Sequence, residues 1–133
     1  MNRLTILPIQ FTAGSLPNTI YPVIVSDETE MVLIDCGYPG FFPLLTSTAA
    51  AAGLDCSKLT KIIITHHDYD HMGALAEFKQ AYPHVQVIAS CEDEPYIAAN
   101  SNPCACSRPK TSTPHCRKSK ETLPEAFSRS CRK

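Results

Sequence analysis

The sequence predicts an α/β layered sheet followed by a disordered tail, on three observations. A β-hairpin pattern leads into an alternation of strand, helix, strand, helix and strand. The charge reverses near residue 100: residues 1–99 hold 11 acids and 4 bases, while residues 100–133 hold 2 acids and 8 bases. Beyond that point hydrophobic periodicity stops, and Leu123 and Phe127 are the only large apolar side chains. Such a segment cannot bury enough apolar surface to offset its conformational entropy. The chain therefore divides into an ordered unit, 1–99, and a basic Ser/Pro/Cys-rich tail, 100–133.

Each element has its own signal. Leu4 to Phe11 is β-rich but contains Pro8, which suits an edge strand. Ala13 to Asn18 reads as a loop, and Thr19 to Ser26 as a second strand. Asp27 to Glu30 is a polar turn, after which Met31 to Asp35 pairs back as a hairpin. Cys36 to Gly40 breaks the chain with two glycines and a proline. Phe42, Leu45, Ala49 and Ala52 then recur at helical spacing, and Gly53 suits the helix stop. Lys58 to Thr65 is a fourth strand, and His66 to Gly73 a loop. Gly73 to Tyr82 reads as a helix with Leu75, Phe78 and Tyr82 on one face. Val85 to Ser90 is the last strand.

Composition excludes several classes. No apolar run approaches the length of a membrane span. The first residues carry a short apolar run broken by Pro8 and no small-residue cleavage pattern, so a cytoplasmic setting with reduced cysteines is expected. Cys104, Cys106, Cys116 and His115 in the tail do not follow a zinc-finger spacing. The tail is basic but lacks interleaved aromatics, so nucleic acid is not an expected partner.

The chemistry concentrates in IIITHHDYDHMGA, Ile62 to Ala74. Three of the five histidines and two acids fall within six residues, His66 to His71, at the end of an apolar strand. Imidazole and carboxylate are the usual ligands of Zn²⁺ and other divalent first-row ions. His66, Asp68, Asp70 and His71 stand at i, i+2, i+4 and i+5, a spacing that lets one tight loop converge them on one or two ions. An ion of this kind lowers the pKa of a water from ~15.7 to about 7, and a nearby carboxylate can hold that water or take its proton. The plainer alternative is a solvated loop in which Asp70 caps the following helix. The density of ligand types in a strand–loop–helix setting favours a metal site.

THHDYDHMG, Thr65 to Gly73, resembles the signature of the metallo-β-lactamase-fold hydrolases, His-x-His-x-Asp-His preceded by Thr and followed by x-Gly. Asp68 stands where the second His usually is. Upstream, VLIDCGYPG, Val32 to Gly40, is similar to the family's strand ending in Asp-x-Gly. The resemblance covers residues 4–98. It implies the N-terminal half of an αββα sandwich, with a mixed sheet and helices on one face. It implies that His66 and Asp68 help hold a first metal and that Asp70 and His71 help hold a second. Asp70 would also orient the attacking water, Asp35 would support the ligands from behind, and His67 and Tyr69 would not be ligands. The implied cofactor is zinc, as one or two ions, with Mn or Fe as substitutes. The implied activity is hydrolysis of an ester, thioester, lactone, amide or phosphodiester in a small-molecule substrate.

The family's second half supplies a further His, a bridging acid and a last His. The resemblance ends near Ala98, and His84 and His115 read as surface and tail residues. The abrupt tail resembles translation in a shifted reading frame. The expectation is thus a truncated hydrolase, weak or inactive alone. The alternative is a non-catalytic remnant, or a metal-binding or interaction module. A half-sandwich also leaves one sheet face uncovered, which predicts self-association.

Overall fold

The computed structural model describes residues 2–100. The expected disordered tail lies, from Ser101 onward, outside the described residues. The main sheet has five strands: β1 (Arg3–Ile6), β4 (Val23–Ser26), β5 (Met31–Ile34), β6 (Lys61–Ile63) and β7 (Gln86–Ile88), in that spatial order. The pairs β1–β4 and β4–β5 are antiparallel, whereas β5–β6 and β6–β7 are parallel. The sheet is therefore mixed, as expected. A separate ribbon pairs β2 (Ile9–Ala13) with β3 (Leu16–Ile20).

That ribbon departs from the sequence reading, which joined Leu4 to Phe11 and Thr19 to Ser26 as single strands. Leu7-Pro8 and Tyr21-Pro22 interrupt both runs. Proline has no N–H to give a ladder, so each run leaves the main sheet at its proline. The Ala13–Asn18 loop shrinks to Gly14-Ser15, because Ala13 already pairs with Leu16. Gly14 takes φ +66, which a two-residue hairpin turn requires.

Register explains which side is covered. Thr5, Ile24, Leu33, Ile62 and Val87 lie side by side across the sheet. Ile24, Leu33 and Ile62 are almost fully buried, and the helices pack on this face. The helices are α1 (Phe42–Ala51), α2 (Tyr69–Met72), α3 (Leu75–Ala81) and α4 (Glu94–Asn100). Helix α1 ends in a left-handed Gly53, with Gly53 N–H bonding the Ala50 carbonyl and Leu54 N–H the Ala49 carbonyl. Phe78 of α3 is fully buried and meets Phe42 edge-on, ring centroids 4.8 Å apart. The opposite row runs Ile6, Val23, Ile34, Ile63 and Ile88, with Ile6 55% and Ile88 42% exposed.

The helix expected over Gly73–Tyr82 is found as α3, and a separate turn, α2, occupies the stretch expected to be a loop. That turn starts where the His71 and Met72 N–H groups bond the Asp68 carbonyl. The break falls at Gly73-Ala74, where a Cβ on Gly73 would lie 2.3 Å from Pro39. Glycine is thus the residue that lets the Cys36–Gly40 turn close onto the helix. Helix α4 has no counterpart in the sequence reading, and its Ile97 is fully buried.

Cys36 and Cys56 are free and buried. Burial pushes the Cys56 thiol up to about 11 and raises the Cys36 thiol further, so neither is a ready nucleophile. Among the described residues no helix is long and apolar enough to cross a membrane.

Phe78 tests the packing. Phe78→Ala should cost about 3–5 kcal/mol, read as a lower midpoint in urea unfolding. An unchanged midpoint would show that Phe78 does not anchor the helices to the sheet.

Candidate metal centre

Strands β5 and β6 run parallel as neighbours, so their carboxyl ends finish side by side. Sites in open α/β sheets gather beyond such ends. Asp35 follows β5, and its N–H continues the ladder to the Ile63 carbonyl at 2.9 Å. The residue then turns into the left-handed region, φ +59, the one described non-glycine residue to do so. Aspartate tolerates this conformation better than most side chains.

The turn swings the Asp35 carboxylate across to the loop after β6. Oδ1 accepts from the Thr65 backbone N–H at 2.9 Å, and Oδ2 from the Thr65 hydroxyl at 2.9 Å. His71 Nδ1 lies 2.8 Å from the same Oδ2. A carboxylate only accepts, so this bond puts a His71 proton on Nδ1 and turns Nε2 toward Asp70. The Thr65 hydroxyl donates to Asp35 and stands 3.0 Å from His66 Nδ1. It therefore accepts from His66 Nδ1, while His66 Nε2 faces Asp68. One carboxylate thus sets both imidazoles, one directly and one through Thr65. The Cys36 N–H adds a bond of 2.7 Å to the His71 carbonyl.

His66, Asp70 and His71 each offer a ligand atom, and these three atoms lie within 4.8 Å of one another. Among the described residues they form the one such group of three or more. Asp70 Oδ2 is 3.3 Å from His71 Nε2, and the two imidazole centroids are 3.8 Å apart. The spot is half-buried rather than deep. Of the four ligands expected from the sequence, the structure converges three. Asp68 stands outside that group, two-thirds exposed, with Oδ2 3.3 Å from His66 Nε2. Asp68 occupies the N-cap position of α2 but makes no side-chain capping bond. Asp70 lies inside the first turn of α2, so the capping alternative for Asp70 is not what the fold shows. Asp35, expected to support the ligands, bonds Thr65 and His71.

His67 and Tyr69 turn away from the group. Tyr69 is two-thirds exposed. His67 Nδ1 is 2.5 Å from Asp93 Oδ1, and its ring stacks on Tyr96 at 4.3 Å. Hydrogen bonds, first from Ser90 and then from His67, hold the Asp93 carboxyl below the usual range. His84 is placed elsewhere, with Nε2 3.1 Å from the Leu59 carbonyl. Sequence reasoning missed the roles of Thr65, Asp93 and Tyr96. The Thr before the motif was a usable signal for the first; nothing local marked the other two.

A profile of the metallo-beta-lactamase superfamily matches residues 17–100, and the chain belongs to that family. The uncharacterized protein YobT of Bacillus subtilis (strain 168) is 30% identical over 89 residues, 67% of this chain and 36% of that protein. Hydroxyacylglutathione hydrolase of Salmonella typhi is 32% identical over 72 residues, 54% of this chain and 26% of that enzyme. The chain thus matches about a third or less of the length of these relatives. The crystal structure of BJP-1, a subclass B3 metallo-beta-lactamase of Bradyrhizobium japonicum, superposes with a TM-score of 0.57 at 24% identity. The match covers 60% of this chain and 30% of that one, which makes the described residues a partial domain of that fold.

Asp35 can be separated from its neighbours by two substitutions. Asp35→Ala leaves the Thr65 and His71 donors unpaired, at about 1–3 kcal/mol, and strains an alanine at positive φ by about 1–2 kcal/mol. Asp35→Asn keeps an acceptor and tolerates the backbone, so it should lose less. Thermal unfolding in EDTA measures both, and equal losses would contradict the hub assigned to Asp35.

Proposed function

We propose that the chain binds a divalent ion at His66, Asp68, Asp70 and His71, as the N-terminal share of a hydrolytic centre. The carrying observation is the convergence of His66, Asp70 and His71 with both Nδ1 atoms already engaged. Two imidazole nitrogens and carboxylate oxygens suit zinc, with manganese or iron as substitutes. His66 and Asp68 would hold one ion, and Asp70 and His71 a second. When bound, such an ion supplies Lewis acidity and lowers the pKa of a water from ~15.7 to about 7. The chain's own part is to hold both imidazoles through Asp35 and to orient the attacking water with Asp70. Hydrolysis is supported by family membership and by the hydrolase among the relatives. The substrate class is an ester, thioester, lactone or phosphodiester. A cytoplasmic setting belongs to the proposal, supported by the free Cys36 and Cys56.

A second reading, a metal-binding module without turnover, is favoured by the donor count. Zinc takes a closed tetrahedral set, or three protein ligands plus water. Two ions need more donors than the described loop offers. Metal analysis of the purified full chain should find one or two bound ions, lost in His66→Ala and in Asp70→Ala. Slow turnover of a generic ester or lactone that disappears in Asp70→Asn supports the hydrolase. Bound metal without turnover assigns the module, and a metal-free protein overturns both.

Self-association through the outer sheet face extends the proposal. Leu4, Ile6 and Ile88 are exposed there beside Val23, Ile34 and Ile63. Sedimentation should show an assembly that Ile6→Lys and Ile88→Lys shift toward one chain. A monomeric parent protein would rule this out.

A further inference from the structure

The loop that carries the ligands is tied down at both ends. Thr65 is held by Asp35, and the Asp68 carbonyl accepts from the His71 and Met72 N–H groups as α2 begins. Between these ends the chain passes through His66 and His67. His67 thus shares its peptide units with two of the assigned ligands, His66 and Asp68. Its own side chain points away from them, onto α4.

The contact with α4 is a built one. His67 Nδ1 meets Asp93 Oδ1 at 2.5 Å, and the imidazole lies nearly flat on Tyr96, 15° between planes. Asp93 is itself fixed: Ser90 Oγ donates to its other oxygen at 2.5 Å, and the Asp93 N–H points back at Ser90 Oγ at 3.1 Å. The Glu94 N–H bonds the Ser90 carbonyl and the Ile97 N–H bonds the Asp93 carbonyl, which closes the start of the helix around this pair. Fully buried Ile97 then anchors α4 in the core. The result is an unbroken chain of contacts from the core, through α4, to the middle of the ligand loop.

We infer that His67, clamped by Asp93 and Tyr96, is a positioning residue that presents His66 and Asp68 to one ion. Its function needs hydrogen bonding and stacking, not a ligand bond of its own. This inference rests on the metal-site reading above. Groups that orient metal ligands from behind typically change affinity by about 10–100-fold when removed. His67→Ala and Asp93→Ala are each expected to weaken Co²⁺ binding within that range and to alter the visible Co²⁺ spectrum. The double variant should be no worse than either single one, because both remove the same contact. His67→Gln, which keeps a donor toward Asp93, should recover part of the affinity.

The test is Co²⁺ titration of the full chain, followed by visible absorption and a competing chelator, beside thermal unfolding without metal. Weakened affinity and an altered spectrum, with non-additive single variants and little change in melting temperature, support the clamp. Equal affinity and spectrum in the parent chain and His67→Ala overturn the clamp while leaving the metal site standing. Additive losses, or a fall in affinity that only tracks a fall in melting temperature, also overturn it. If the parent chain binds no Co²⁺, the metal-site reading fails first and the clamp with it. His66→Ala serves as the control that removes a ligand outright.

Discussion

Everything at the candidate centre depends on one carboxylate held across two parallel strands. Asp35 leaves β5 with φ +59, and that turn brings its two oxygens against Thr65 and His71. A residue in a sparsely populated backbone region costs on the order of 1–3 kcal/mol. Hydrogen bonds to a charged group contribute about 1.5–3 kcal/mol each, so three of them offset the strain. Without that carboxylate the loop after β6 would keep its residues but lose the hydrogen bonds that hold Thr65 and His71. The parallel pairing of β5 with β6 makes the reach possible, because it ends the two strands side by side.

Packing turns this local arrangement into a fixed one. The Cys36 N–H bonds the His71 carbonyl, and Gly73 lets Pro39 approach α2 to a distance that no Cβ would allow. Helix α3 follows at once and buries Leu75 and Phe78 on the inner sheet face. The ligand loop is therefore held by the same contacts that close the core, an arrangement suited to keeping a preorganised donor set. The aromatic group of Phe11, Tyr38 and Phe41 joins the β2–β3 ribbon to the turn after Asp35.

The family's own pattern was readable because it is local. Spacing within six residues specified which side chains enter one loop, and the Asp-x-Gly after β5 pointed to its support. The α/β order was readable for the same reason: apolar runs and Gly or Pro breaks are short-range signals. The errors had long-range causes. Pro8 and Pro22 divide two apparent strands, but only pairing shows that the pieces belong to different sheets. The Gly73 break looked like a helix start until Pro39, 34 positions earlier in the chain, was seen against it. Helix α4 gave no strong period and is placed by the burial of Ile97.

The sequence by itself determined the donor types and their spacing and hence the family, since each is fixed by residues a few positions apart. Only the tertiary structure decided which donors meet. It gathers His66, Asp70 and His71, leaves Asp68 beside them, and turns His67 onto Asp93 and Tyr96. The physical reason is that convergence depends on where separate elements dock. A carboxylate after β5 and a helix after β7 orient a loop after β6, and no periodicity within that loop encodes their positions.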